Sequence, residues 1–145
     1  MKLLVLTAAM LGAMATASAA QPLYQTPEQP ETGLWIPTIV SVPQGDARDS
    51  TFSVLVHNVD PEPAASLGVS ATPNPSRPEA GSLSLVGDTC TGATLAQHGD
   101  CRLRFNVRAA CAKSGMTVWF VTVHSANGSP VTTQVQVANK SGKCD

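Results

Sequence analysis

The sequence predicts an all-β fold, an antiparallel β-sandwich of about seven short strands stapled by disulfides. Three observations predict it. Short segments alternate apolar and polar residues at period two, Gly- and Pro-rich turns separate them, and no stretch shows the apolar period of a helix. One strand is apolar on both faces, which in a chain of 145 residues fits two packed sheets better than a barrel.

The chain opens MKLLVLTAAMLGAMATASAA, with one basic residue at Lys2, an apolar run from Leu3 to about Ala15, and small residues at Ala17 and Ala19. This is the pattern of a secretory signal peptide, expected over residues 1–19 with cleavage before Ala20. The run is too short for a comfortable membrane span and no basic stop-transfer cluster follows, so no membrane span is expected after signal removal. A periplasmic or secreted protein is the expectation. Residues 20–34, with Pro22, Pro27 and Pro30 among polar neighbours, read as a flexible Pro-rich leader. Residues 35–145 are left for one sandwich domain.

Trp35 to Val42 reads as a first strand, which Pro37 confines to a sheet edge. In TFSVLVHN, Thr51 to Asn58, the residues Phe52, Val54 and Val56 share one face. A Pro-rich excursion follows, extended only over Leu67 to Ala71. Ser82 to Val86 offers another short strand. In CRLRFNV the alternation is unbroken: Cys101, Leu103, Phe105 and Val107 face one way, while Arg102, Arg104, Asn106 and then Arg108 face the other. MTVWFVTVHS, Met116 to Ser125, is the two-sided strand. Asn127-Gly128 is a favoured hairpin turn, so VTTQVQVA should return antiparallel to it.

Cys90, Cys101, Cys111 and Cys144 form an even set in an exported chain, the default setting for disulfides. Three pairings are possible, and proximity favours Cys90 with Cys101, leaving Cys111 with Cys144. Such staples suit a small core with few aromatic residues. A zinc site would need a C-x-x-C pair or histidines at ligand spacing, and neither occurs.

The run LVGDTCTGATLAQHGDCRLRFNV, with Cys90, Gly92, Leu95, Gly99 and Cys101 at matching types, resembles a stretch of bacterial exported immunoglobulin-like modules related to the choice-of-anchor and ASPM/SPD-2/Hydin groups. TFSVLVHN with Asn58 is similar to their opening strand. The resemblance covers about Thr51 to Val137 and departs at RAACAKSG and at the extra pair Cys111 and Cys144. It implies an immunoglobulin-like sandwich used for binding, spacing or assembly, and it brings no catalytic residues.

No G-x-S-x-G, H-E-x-x-H, P-loop or dinucleotide fingerprint occurs, so an enzyme and a bound cofactor are not expected. Arg102, Arg104 and Arg108 share one strand face and are the candidate binding residues, for an anionic glycan, a headgroup or an acidic protein. From Cys101 onward six basic residues face Asp145 alone, whereas Gln21 to Asp100 holds nine acids against Arg48 and Arg77. Nucleic acid is not expected, because the mature chain is acidic overall and lacks interleaved aromatics. The expected function is a non-catalytic exported module that takes a protein or envelope-surface partner on a sheet edge or on the arginine face. The alternatives are a small periplasmic copper carrier using His57, Met116 and His124, and a structural subunit of a surface appendage.

Overall fold

The computed structural model describes residues 21–25, 33–43, 49–76, 81–110 and 115–139. The expected signal peptide, Cys111 and Cys144 lie outside the described residues. Nine strands run in chain order: β1 (Leu23–Gln25), β2 (Leu34–Trp35), β3 (Ile39–Val42), β4 (Asp49–Asn58), β5 (Gly68–Pro73), β6 (Ser82–Asp88), β7 (Asp100–Arg108), β8 (Met116–His124) and β9 (Val131–Ala138). They form two sheets, ordered β2-β4-β7-β6 and β1-β3-β9-β8-β5. Every pairing is antiparallel except β3 with β9.

The segment expected as one strand from Trp35 to Val42 is two. Leu34 and Trp35 pair with β4 in one sheet, and Ile39 to Val42 pair with β9 in the other. Pro37 has no N–H with which to continue the first ladder, so the chain crosses between sheets at Ile36 to Thr38. Thr38 then joins the second sheet through its N–H to the Gln25 carbonyl and its carbonyl to the Gln134 N–H. The edge placement expected from Pro37 holds for β2, whereas β3 lies between β1 and β9. With β2 and β3 as two halves of a first strand, the first, second, fifth and fourth strands make one sheet, and the third, sixth and seventh lie in the other. That is the immunoglobulin layout.

β1 is an addition to that layout, and it falls inside the segment expected to be a leader. Leu23 to Gln25 pair with Ser41 to Ile39, and the Tyr24 hydroxyl donates to the Ser53 carbonyl at 2.9 Å. All three residues are exposed. Backbone bonds hold them, so no apolar period marks them.

The inward residues of both sheets make one core. Phe52, Val54 and Val56 of β4 and Leu103, Phe105 and Val107 of β7 meet Val40, Val121, Val123, Val135 and Val137 from the facing sheet. The rings of Phe52 and Phe105 stack with centroids 5.4 Å apart. Valine dominates because a β-branched side chain fills a pleated face with little rotamer freedom to lose. β8 is an interior strand, and its outer face is partly covered as well: Val118 is buried and Phe120 half-buried.

Cys90 and Cys101 are bridged, with Cα atoms 5.1 Å apart. The loop they close reaches over to the β4–β5 connection, where Ala64 and Leu95 exchange both backbone hydrogen bonds and Leu67 bonds with Gly92 and Ala93. The opening of this loop is shaped by Asp88, which accepts hydrogen bonds from the N–H groups of Cys90 and Thr91 and from the Thr91 hydroxyl. Burial pushes the Asp88 carboxyl up, and the hydrogen bonds from Thr91 and Cys90 outweigh it, so the net direction is downward. A depressed carboxyl stabilises the fold above its unfolded value and loses that contribution as pH falls through the folded one. Wild-type stability should therefore drop more steeply than that of Asp88→Asn below about pH 4. Urea midpoints across the acid range check this, and parallel curves for the two proteins would refute it.

Candidate functional site

The period-two pattern of β7 turns its apolar residues into the core and sets Arg102, Arg104, Asn106 and Arg108 on the outer face, all exposed except the half-buried Asn106. Arg102 and Arg104 stand about 7 Å apart along the strand, and Arg108 about 13 Å beyond Arg104. The face around them is mostly short and polar, with the exposed Leu55 as the apolar exception. In register lie Leu55 beside Arg102, Ser53 beside Arg104, Thr51 beside Asn106 and Asp49 beside Arg108, with Ser84 and Ser82 on the β6 side. Gly87 flanks Arg104, where an added Cβ would meet the arginine Cβ at 3.4 Å and its Cδ at 3.9 Å. Those are ordinary van der Waals distances, so the Arg104 stem lies against the neighbouring strand at Gly87. Among the described residues none of the three guanidiniums forms an ion pair; the single ion pair there is between His57 and Asp100. Arginine presents a planar fork of five donors and no acceptor, so this face offers donors to a partner rich in acceptors.

The three residues of the alternative copper site do not converge. His57 lies on β4, in the sheet opposite β8. Met116 and His124 begin and end β8, about 26 Å apart by strand rise. His57 instead meets Asp100 across the β4–β7 pair, Nδ1 to Oδ1 at 2.5 Å, and the ring of His98 stacks on it at a centroid distance of 6.0 Å. His124 stands over Gly68, its register partner, where a Cβ would come within 2.3 Å of the imidazole. Among the described residues no group of three or more His, Cys, Asp or Glu side chains is placed to hold a metal ion.

No serine, threonine or cysteine side chain among the described residues is hydrogen-bonded to His57.

Comparison with known proteins places the architecture. No family model matches the sequence, and no curated protein does. Solved structures do match. The secreted serine protease VesC from Vibrio cholerae is similar at 14% identity and a TM-score of 0.57, over 75% of this chain and 23% of that one. The Vibrio cholerae VesB protease is similar at 19% identity and a TM-score of 0.52, over 73% of this chain and 32% of that one. The likeness is one of fold. The chain spans between about a quarter and a third of the length of these proteases. A PapD-like domain of human CEP192 is also similar, at 10% identity and a TM-score of 0.48, over 91% of this chain and all of that one.

Proposed function

We propose that the protein is a non-catalytic exported binding or assembly module, and that its partner docks on the outer face of the β2-β4-β7-β6 sheet. The observation that carries this reading is the row of Arg102, Arg104 and Arg108, exposed, without ion pairs among the described residues, and bordered mainly by serine and threonine, with Leu55 beside Arg102 and Asp49 beside Arg108. A flat surface of donors suits an acidic protein or an anionic envelope surface, where charge complementarity sets encounter rate and register. The Cys90–Cys101 bridge supports an oxidising compartment, hence the periplasm or the exterior. The appendage-subunit reading is less favoured, because β9 already occupies the closing-strand position between β3 and β8.

The test uses the oxidised protein as bait for envelope proteins and anionic envelope surfaces, beside a variant with Arg102, Arg104 and Arg108 changed to Glu. All three side chains point to solvent, so the variant should fold with little change in stability. Its affinity for the captured partner should fall by about a hundredfold or more, and wild-type binding should weaken steeply with salt. Equal capture by both proteins, or none by either, would overturn the proposal.

A further inference from the structure

At one end of the sandwich a cleft of about 620 Å³ opens between the β4–β5 loop and the β8–β9 connection. Its walls are tied. Asn58, fully buried, donates to the Glu62 and Leu95 carbonyls at 3.0 Å and accepts from the Asp60 N–H at 3.1 Å. On the opposite wall Asn127 donates to the Pro63 carbonyl at 2.8 Å and accepts from the Ala65 N–H at 3.0 Å. The two loops are thereby locked together beneath the cleft.

Asp60, Glu62 and Ser125 line this space, and no lysine or arginine among the described residues does. Ser125 is 9% exposed and borders the cleft, and its hydroxyl has no protein hydrogen-bond partner among the described residues. Its neighbour Gly128 keeps the room in front of that hydroxyl, since a Cβ there would sit 2.7 Å from the Ser125 oxygen. A hydroxyl that faces a cleft without a protein partner is free to bond a ligand group or water. With two carboxylates on the same walls, the matching group is a hydrogen-bond donor that carries positive charge.

We infer that this cleft binds a primary ammonium group, borne by a small amine or by a lysine side chain of a partner. An ammonium has three donors and no acceptor, which matches Asp60, Glu62 and the Ser125 oxygen. Charge-assisted bonds to carboxylates are the stronger kind, and a cation between Asp60 and Glu62 offsets their mutual repulsion. The volume accommodates an aliphatic stem behind the charge. This site lies apart from the arginine face and takes the opposite charge, so the two proposals fail independently.

The experiment titrates isotope-labelled protein with n-butylammonium chloride and follows backbone amide resonances. Butanol of the same shape and sodium chloride at equal ionic strength serve as controls. Saturable shifts are expected at Gly33, Ser125 and Gly128, with neither control reproducing them. The Asp60→Asn, Glu62→Gln double variant should bind about tenfold more weakly or worse, and Ser125→Ala should bind more weakly by a smaller factor. Asn at position 60 keeps the oxygen that accepts from the Glu62 N–H, so the loop turn survives. Should the double variant misfold, Glu62→Gln alone alters one exposed side chain and makes the same comparison. A second arm uses acetyl-Gly-Lys-Gly-amide: competition for the same amides assigns the site to a lysine side chain, and binding of butylammonium alone assigns it to a small amine. Equal shifts with butanol, unsaturable shifts, or undiminished affinity in the variants would overturn the inference.

Discussion

Changing Asn58 to Ala should destabilise the protein by roughly 3 kcal/mol, because the four hydrogen bonds of a fully buried amide vanish with it. The Leu95 carbonyl still receives the Ala64 N–H, but the Asp60 N–H and the Glu62 carbonyl lose the partners that fold the loop back on itself. Asn58→Asp isolates the chemistry from the packing. It preserves size and the acceptor oxygen, yet it replaces the donating group by a second acceptor that faces the Glu62, Leu95 and Ala96 carbonyls. At neutral pH this variant should be at least as unstable as the alanine variant, since a buried charge without donors is costlier than a missing side chain. Acidification should restore part of the loss by protonating the new carboxyl. Urea denaturation of the three proteins at two pH values is the measurement. A change below about 0.5 kcal/mol for Asn58→Asp would mean that Asn58 merely fills space.

The central strands were legible because burial on one face imprints a period on the sequence. Phe52, Val54 and Val56 in β4, and Cys101, Leu103, Phe105 and Val107 in β7, are buried as their alternation requires. What the period does not encode is which sheet a strand joins. Trp35 to Val42 reads as one extended segment, and only the loss of an N–H at Pro37 hints that its two ends belong to different sheets. β1 was illegible for another reason: exposed on every residue, it has no buried face to create a pattern. Asn127-Gly128 does lie in the hairpin connection between the antiparallel β8 and β9, with the strands ending at His124 and restarting at Val131. The Asn127 side chain is committed to Pro63 and Ala65, a tie to the β4–β5 loop that the turn signal does not reveal.

The arginine face was legible for the same reason as the core, since residues that alternate away from buried partners must face solvent. Its setting was not. That Gly87 flanks Arg104, or that hydroxyl side chains border the row, depends on the register of β6 and β4 against β7. The grouping of His57 with Met116 and His124 failed on sheet assignment. Strand periodicity shows that a histidine points outward, without showing from which sheet. The cleft left no local signal, because Asp60, Ser125 and Gly33 come from three separate connections that only the folded chain brings together.

Replacing Cys90 and Cys101 together by Ala should lower stability by roughly 3 kcal/mol, the chain-entropy value for closing a loop of this length. The native fold should nonetheless persist at room temperature. The loop is also laced to its neighbours by backbone bonds from Ala64, Leu67 and Asn58 to Leu95, Ala93 and Gly99, and Leu95 is buried against the core. Most of the loss then belongs to an unfolded chain with more freedom, rather than to a damaged native state. Two measurements separate these sources. The denaturant midpoint reports the total, and native-state hydrogen exchange at the Ala64, Leu67 and Leu95 amides reports whether the lacing survives. Protection that falls only in step with global stability would show that the bridge acts on the unfolded chain. Selective loss of protection at those amides, with the rest of β4 and β7 unchanged, would show that the bridge holds the loop in place and that the hydrogen bonds follow it.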